Sequence, residues 1–504
     1  MIQGDNLGAT TSGLPDDGRV VLTDLLEWDR PRLYRREDID AAADACARGL
    51  LRRGLRRGDA VGILSANRAE FVLSLLGVMR AGLVAVPVNP KLPRETLDYI
   101  FADAAVRHVF CDGERTALVS PTLGRTDYDA DDSSGFKALL DPGTFDATHP
   151  VAGEIAMILY TSGSTGVPKG VPLSHEGQLW ALRARCVRGW PFDAHRLLVA
   201  APLYHMNGLC TTLFAVCASS LVLMSTFDAR RYLQSIERFR CTWLTCVPPM
   251  MAMCLREADL LASPAYADVA TVRMGSAPIS QRLWQDVKAQ FPNASVLNGY
   301  GTTETGPIVC GPRAGRVMPD LSIGWPADGV ELRLVDADGK DADEGVLWQR
   351  TPAMMTGYLN LPEKTRQVLT PDGWYVSGDI FRRDADGAYY FVGRADDMFV
   401  CGGENIYPGE VESLLERHAE IEQVCVVPVP DDIKGEKPVA FVVRSAGSSL
   451  GEDEVKQYAL AHGPAYLHPR QVHFLPTLPL AGPNKVDRKG LRQRALELWP
   501  SAGT

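Results

Sequence analysis

From Arg36 to Val106, apolar residues recur at helical spacing in two stretches, IDAAADACARGLLRRGL and EFVLSLLGVMRAG, and run unbroken in two shorter ones, AVGIL and LVAVPV. Apolar positions repeating about every 3.6 residues make an amphipathic helix, whereas a short continuous run bounded by turn residues suits a buried strand. Their alternation predicts α/β architecture, a parallel sheet with helices on its faces. Residues 124–150, centred on DYDADDSSGF, break the rhythm; this polar, acidic stretch reads as a surface connection without chemistry. The pattern resumes through RLLVAAPLY, SSLVLMS, CTWLTCVP and VATVRMG, and the loops after such strands are where sites usually form. From Gly329 onward the texture changes to short strands separated by D-x-D-G turns, which predicts hairpins. Beyond Asp396 comes a compact α/β tail of domain size, so the chain divides into residues 1–395 and 396–504.

Composition narrows the function classes. A length of 504 residues exceeds what a single core organises, in agreement with two domains. A net charge of -10, with no long Lys/Arg run, argues against nucleic acid as a partner. The 11 cysteines show no paired C-x-x-C spacing, so neither a disulfide framework nor a zinc site is signalled and a reducing compartment fits. The first residues carry no basic cluster followed by an apolar core, and no apolar stretch approaches the roughly 20 residues of a membrane span. A cytoplasmic protein is expected, and a homodimer is compatible with the sequence.

Chemistry enters at Leu159-Tyr160-Thr161-Ser162-Gly163-Ser164-Thr165-Gly166-Val167-Pro168-Lys169-Gly170, directly after the apolar run Ile155 to Leu159. Glycines let backbone N–H groups turn towards an anion, the hydroxyls add donors and Lys169 adds charge, which suits a polyphosphate. The spacing is not G-x-x-x-x-G-K-[ST], because two residues separate Gly166 from Lys169 and Gly170 follows, so a P-loop NTPase is disfavoured.

TSGSTGVPKG resembles the signature of the adenylate-forming superfamily, whose members include acyl- and aryl-CoA ligases, luciferases and adenylation domains. Further segments match in the family's order: Pro202-Leu203-Tyr204-His205, Asn298-Gly299-Tyr300-Gly301-Thr302-Thr303-Glu304-Thr305, Tyr375-Val376-Ser377-Gly378-Asp379, Gly393-Arg394 through Glu412, and Pro483-Asn484-Lys485. The resemblance implies a large N-terminal domain of parallel sheets with a distorted β-barrel region, a small mobile C-terminal domain, and a hinge at Asp396. It implies ATP, Mg²⁺ and coenzyme A as cofactors and co-substrates. Thr161 and Glu304 would hold the metal, and Thr303 would touch the α-phosphate. Ser276, Ala277, Pro278, Asn298, Gly299 and Tyr300 would surround adenine, with Gly301 and Thr302 continuing the nucleotide site. Asp379 and Arg394 would hold the ribose. Lys485 would bridge the substrate carboxylate and the α-phosphate, and after domain rotation Gly402 and Gly403 would frame the pantetheine tunnel. His205 resembles the gate between acyl pocket and tunnel.

The activity so implied is ATP-dependent ligation of a carboxylic acid to CoA through an acyl-adenylate, releasing pyrophosphate and then AMP. Transfer to an amine or to a carrier-protein phosphopantetheine is the alternative, and a catalytically silent nucleotide-binding protein a second one. Met206, Asn207, Gly208, Val247, Met250 and Arg273 are candidates for acyl selection. The segment after His205, MNGLCTTLF, has no acid to pair with an α-amine, so amino acids are disfavoured. CGGENIYPGEVE looks closest to aryl- and medium-chain ligases, which points to an aromatic or short- to medium-chain acid; a dicarboxylate would need a second cation, for which Arg273 or Arg230 are candidates.

Overall fold

The computed structural model describes residues 2, 4–12, 18–161, 167–186, 192–401, 404–431, 433–481 and 485–499. Two sheets organise the larger part. The first has six strands in the spatial order Gly124–Asp127, Val106–Cys111, Ala60–Leu64, Val84–Pro87, Ile155–Thr161 and Lys169–Ser174. All neighbours are parallel except the last two, which pair antiparallel with Thr161 opposite Lys169. The second runs Ser295–Gly299, Thr271–Gly275, Trp243–Cys246, Arg196–Val199, Ser220–Met224, Val20–Leu25 and Arg32–Arg35, parallel apart from its final pair. The apolar runs read from the sequence supply these strands, as sheets covered on both faces require.

The helices Arg36–Arg52 and Ala69–Arg80 cross closely on the first sheet. Gly77 makes the approach possible, because a Cβ there would lie 2.7 Å from Cys46 Cβ and 2.8 Å from the Ala43 carbonyl oxygen. At the end of the second helix Arg80 is 1% exposed, pairs with Asp40 and Asp44, and donates through Nε to the Gly8 carbonyl at 2.8 Å. A buried guanidinium is tolerable only with such compensation, and here it also ties down the N-terminal segment.

Residues 124–150 are more ordered than their composition suggests. Gly124–Asp127 adds an edge strand, Phe136–Leu139 forms one helical turn, and Tyr128, Phe136 and Leu139 enter the core, Tyr128 stacking on Phe110 at 5.7 Å. Three anchors at irregular spacing leave no periodic signal to read.

The β-rich region is an antiparallel sheet of Glu331–Val335, Glu344–Arg350, Tyr375–Arg383 and Tyr389–Arg394, beside a short ladder of Cys310–Gly311 with Trp325–Pro326. Both D-x-D-G segments close hairpins by one device. Asp336 Oδ1 accepts from the N–H groups of Asp338 and Lys340, Asp384 Oδ1 from those of Asp386 and Ala388, and Gly339 and Gly387 take φ of 79° and 80°.

A five-stranded sheet follows, with Phe399–Cys401, Glu404–Ile406, Ile421–Asp431, Gly435–Arg444 and Gln471–Leu475, flanked by the helices Pro408–Leu415, Glu452–His462 and Arg488–Leu498. It has its own core around Val411, Val426 and Val442. Polar contacts join it to the larger part: Arg282 donates to the carbonyls of Ala419 and Ile421 and to Ser445 Oγ, and Arg256 pairs with Glu422. No helix among the described residues is long and apolar enough to cross a membrane.

Gly77→Ala should cost about 1–3 kcal/mol through overpacking at the helix crossing. The check is a lowered melting temperature with an unchanged affinity for nucleotide; an unchanged melting temperature would show that the crossing has slack.

Candidate active site

Lys169 opens the strand that returns from the hydroxyl-rich loop, and its position opposite Thr161 places both at one mouth of the first sheet. Ser162, Gly163, Ser164, Thr165 and Gly166 lie outside the described residues. Lys169 Nζ donates to the Tyr358 hydroxyl at 3.1 Å and sits 4.2 Å from that ring's centroid. The Tyr358 hydroxyl donates in turn to Glu304 Oε1 at 2.8 Å, so one phenol joins the lysine to the carboxylate. Desolvation lowers the Lys169 pKa below that of a free lysine, with Lys364 and Arg394 acting in the same direction and Glu304 opposing them. Burial and Glu304 together raise the Tyr358 pKa, which keeps its proton on the oxygen that bonds the carboxylate.

A second chain of hydrogen bonds ties the turn carrying Glu304 to the strand carrying Asp379. Thr302 and Thr305 hydroxyls lie 2.8 Å apart, and Thr305 donates to Gln349 Oε1 at 3.1 Å. Gln349 Nε2 donates to the Tyr300 hydroxyl at 3.3 Å, which donates to Asp379 Oδ2 at 2.5 Å. Asp379 Oδ1 pairs with Arg394 at 3.1 Å. Buried Tyr375 has its pKa raised by desolvation, with Glu304, Tyr358 and Asp379 acting in the same direction. Thr303 is half-buried in the same turn as Glu304, and Gly301 is exposed beside it.

The second sheet supplies the neighbouring wall. Gly275 stands opposite Gly299 where the two strands end, and a Cβ at 275 would come within 2.3 Å of the Gly299 carbonyl oxygen. Ser276 follows with a φ of 67°, and leads into Ala277 and Pro278. Asn298 Nδ2 donates to the Leu321 carbonyl at 2.8 Å. Tyr300 meets Phe381 edge-on at 4.7 Å, so its ring is held in place by packing as well as by Asp379.

Behind this wall lies a cavity lined by apolar side chains including Leu197, Phe214, Trp243 and Ile308, and by Arg185 and Arg273. Arg273 Nη1 donates to Asn207 Oδ1 at 3.2 Å. His205 caps the helix Met206–Ala218 and lies 4.4 Å from the Tyr204 ring. Gly208 belongs to that helix, where a Cβ would meet the Pro202 carbonyl oxygen at 2.4 Å. Among the acyl-selection candidates, Arg273 lines the cavity. Met250 does not: its side chain is 2% exposed within a core cluster, against which Val247 also packs. The first turn of Pro248–Leu255 faces that core, a direction that chain spacing could not reveal. Arg230 is a surface residue paired with Glu257 and Asp259, each at 2.6 Å, and is no pocket cation.

In the smaller part, Asp396 lies 3.7 Å from Arg394. Gly402 and Gly403 lie outside the described residues, between strands that pair with Cys401 opposite Glu404. Lys485 stands opposite Ala481 in a two-residue ladder, and its side chain is likewise outside the description. Sequence reasoning missed Tyr358, Gln349 and Arg185. No motif flagged them, since their roles arise from tertiary proximity.

Comparison with known proteins gives this geometry a context. Residues 18–359 match the family model described as AMP-binding enzyme, and residues 410–485 its C-terminal domain. The chain is 33% identical to a sulfoacetate–CoA ligase of Cupriavidus necator, over 88% of this chain and 89% of that one. It is 32% identical to 4-coumarate–CoA ligase 5 of Oryza sativa subsp. japonica, over 91% and 88%. The anthranilate CoA ligase AuaEII, solved with anthranoyl-AMP, superposes with a TM-score of 0.89 at 27% identity, covering 98% of both chains.

Asp379→Asn removes the charge that orients Arg394 and should weaken AMP binding roughly 10- to 100-fold, the worth of a charge-assisted hydrogen bond. Isothermal titration calorimetry reads it directly, and an unchanged affinity would remove Asp379 from the nucleotide site.

Proposed function

The chain belongs to the AMP-binding enzyme family, and from that premise we propose how its own residues divide the work of an AMP-forming acid–CoA ligase. The reaction joins a carboxylic acid to CoA at the expense of ATP, by way of an acyl-adenylate. Its first step sets a carboxylate against the α-phosphate, so like charges must be brought into line before an oxygen can displace pyrophosphate. The observation that carries the assignment is the joining of Lys169 to Glu304 through the Tyr358 hydroxyl, next to the Tyr300–Asp379–Arg394 chain.

In this reading Lys169 and residues 161–166 receive the terminal phosphates, Asp379 accepts the ribose hydroxyls, and the Gly275–Gly299 backbone lets adenine lie flat against the strand ends. Glu304 and Thr161 would hold Mg²⁺. The donor set fits a hard cation, since both offer oxygen, and Thr161 Oγ1 is buried without a hydrogen-bond partner among the described residues. Bound there, the ion would supply positive charge to the phosphate oxygens. Thr303, beside Glu304, donates to the α-phosphate. Tyr358 keeps the Glu304 carboxylate facing the metal position while holding Lys169 from closing on it directly. The acid body enters the cavity past His205, along Phe214 and Trp243.

Lys485 serves the first half-reaction from the smaller domain, residues 396–504, by bringing its ammonium to the attacking carboxylate. Rotation about Asp396 then withdraws it and admits the CoA thiol alongside Gly402 and Gly403. The polar character of the interdomain contacts at Arg282 and Arg256 supports such movement, because interfaces of this kind re-form readily.

Lys485→Ala should lower adenylate formation at least about 100-fold, as expected when a group acting on developing charge is lost. Thioester formation from supplied acyl-adenylate should stay near wild type. The two half-reactions are read separately by pyrophosphate release and by CoA consumption, and equal loss in both would defeat the division of labour.

A further inference from the structure

Resting on the reading of the chain as an acid–CoA ligase, the cavity carries information about which acid. Its lining is apolar along Leu197, Phe214, Trp243 and Ile308, yet two guanidinium groups, Arg185 and Arg273, face the same space. No acidic side chain belongs to that lining among the described residues. Arg185 lies over the Phe214 ring at 5.3 Å, and Arg273 rests against Gly299, where a Cβ would fall 2.7 Å from its guanidinium carbon. Glycine at 299 thus serves the arginine as well as the nucleotide wall.

An independent observation points the same way. Thr211, on the helix Met206–Ala218, is 1% exposed and lines the cavity, and its Oγ1 meets no hydrogen-bond partner among the described residues. A buried hydroxyl left in this state costs free energy unless a ligand satisfies it. Two guanidinium groups lining one cavity can both donate to an oxyanion placed there. A purely hydrocarbon acid would do none of this.

We propose that this cavity selects acids bearing a second anionic group, a carboxylate or a sulfonate, at the end remote from the carboxylate that is activated. Arg185 and Arg273 bind the remote oxyanion from two sides, Thr211 donates its hydroxyl to it, and Asn207 orients Arg273. Leu197, Phe214, Trp243 and Ile308 enclose the short body between the two anionic ends. The reacting carboxylate remains at the nucleotide, so the arginines set specificity and take no part in bond making.

The test compares kcat/KM, by pyrophosphate release with the full-length enzyme, for acids matched in length. Propionate, butyrate and valerate are set against malonate, succinate and glutarate, and against sulfoacetate and 3-sulfopropanoate. At least one doubly anionic acid should exceed its singly anionic counterpart by about tenfold or more, and the carboxylate and sulfonate arms show which oxyanion is preferred. Arg273→Leu and Arg185→Leu should each reduce that ratio about tenfold or more, with Arg273→Lys retaining more of it than Arg273→Leu. A ratio is read because a variant that is partly misfolded lowers both rates together. If wild type turns over the singly anionic acids as well as or better than their partners, or if the ratio survives both leucine variants, the proposal is overturned while the ligase reading stands. Absence of pyrophosphate release with every acid, including aromatic ones, would overturn the ligase reading itself.

Discussion

The constraint that shapes this molecule is electrostatic: an anionic carboxylate must approach the α-phosphate of a polyanion, in a place dry enough for hydrogen bonds to matter. Positive charge has to be gathered there without collapsing onto the carboxylates beside it. Tyr358 meets that requirement for Lys169 and Glu304 by standing between them, with its proton held on the oxygen by burial. Tyr300 does the corresponding task for Asp379, receiving support from Gln349 and leaving Arg394 on the other carboxylate oxygen. One phenol therefore separates a lysine from a carboxylate while the other braces a carboxylate that pairs directly with its arginine, and their place in the packed interior fixes the spacing.

The scaffold makes this gathering possible because both large sheets and the antiparallel sheet end at one locality. Lys169 comes from the first sheet, Gly275 and Gly299 from the second, and Asp379 with Arg394 from paired strands of the third. Residues on strands are held by backbone ladders, on both sides of the strands carrying Asp379 and Gly275 and on one side of those carrying Lys169, Gly299 and Arg394, which is more exact than a loop could supply. The close approach of Gly275 to Gly299 leaves no room for a side chain at 275, and the missing side chain at 299 leaves room for the Arg273 guanidinium. In the proposed reading, nucleotide wall and acid pocket are two sides of a single pair of strands.

Much of the fold was legible in the sequence because buried parallel strands are written as largely apolar runs; AVGIL and LVAVPV are unbroken, while RLLV and TVRMG each carry one arginine. The D-x-D-G hairpins were legible for a local reason, since the aspartate and the glycine complete each turn by themselves. Residues 124–150 were misread because Tyr128, Phe136 and Leu139 anchor the segment at irregular intervals. In the site, residues marked by motifs, Lys169, Glu304, Tyr300, Asp379 and Arg394, are brought together by the structure, whereas Tyr358, Gln349 and Arg185 carry no local mark. Met250 shows the converse, a residue near the right strand end whose side chain turns into the core. Only packing decides which way the helix after a strand end faces.

The central claim is that the carboxylate oxygen becomes bonded to the α-phosphorus. Turnover of an accepted acid labelled with ¹⁸O in both carboxyl oxygens, followed by mass spectrometry of the products, tests it most directly. The account predicts a single ¹⁸O in AMP, none in pyrophosphate, and the other label in the thioester. Unlabelled AMP with ¹⁸O in pyrophosphate, or ADP with ¹⁸O in orthophosphate, would contradict it, because the acid would then have attacked the β- or the γ-phosphorus.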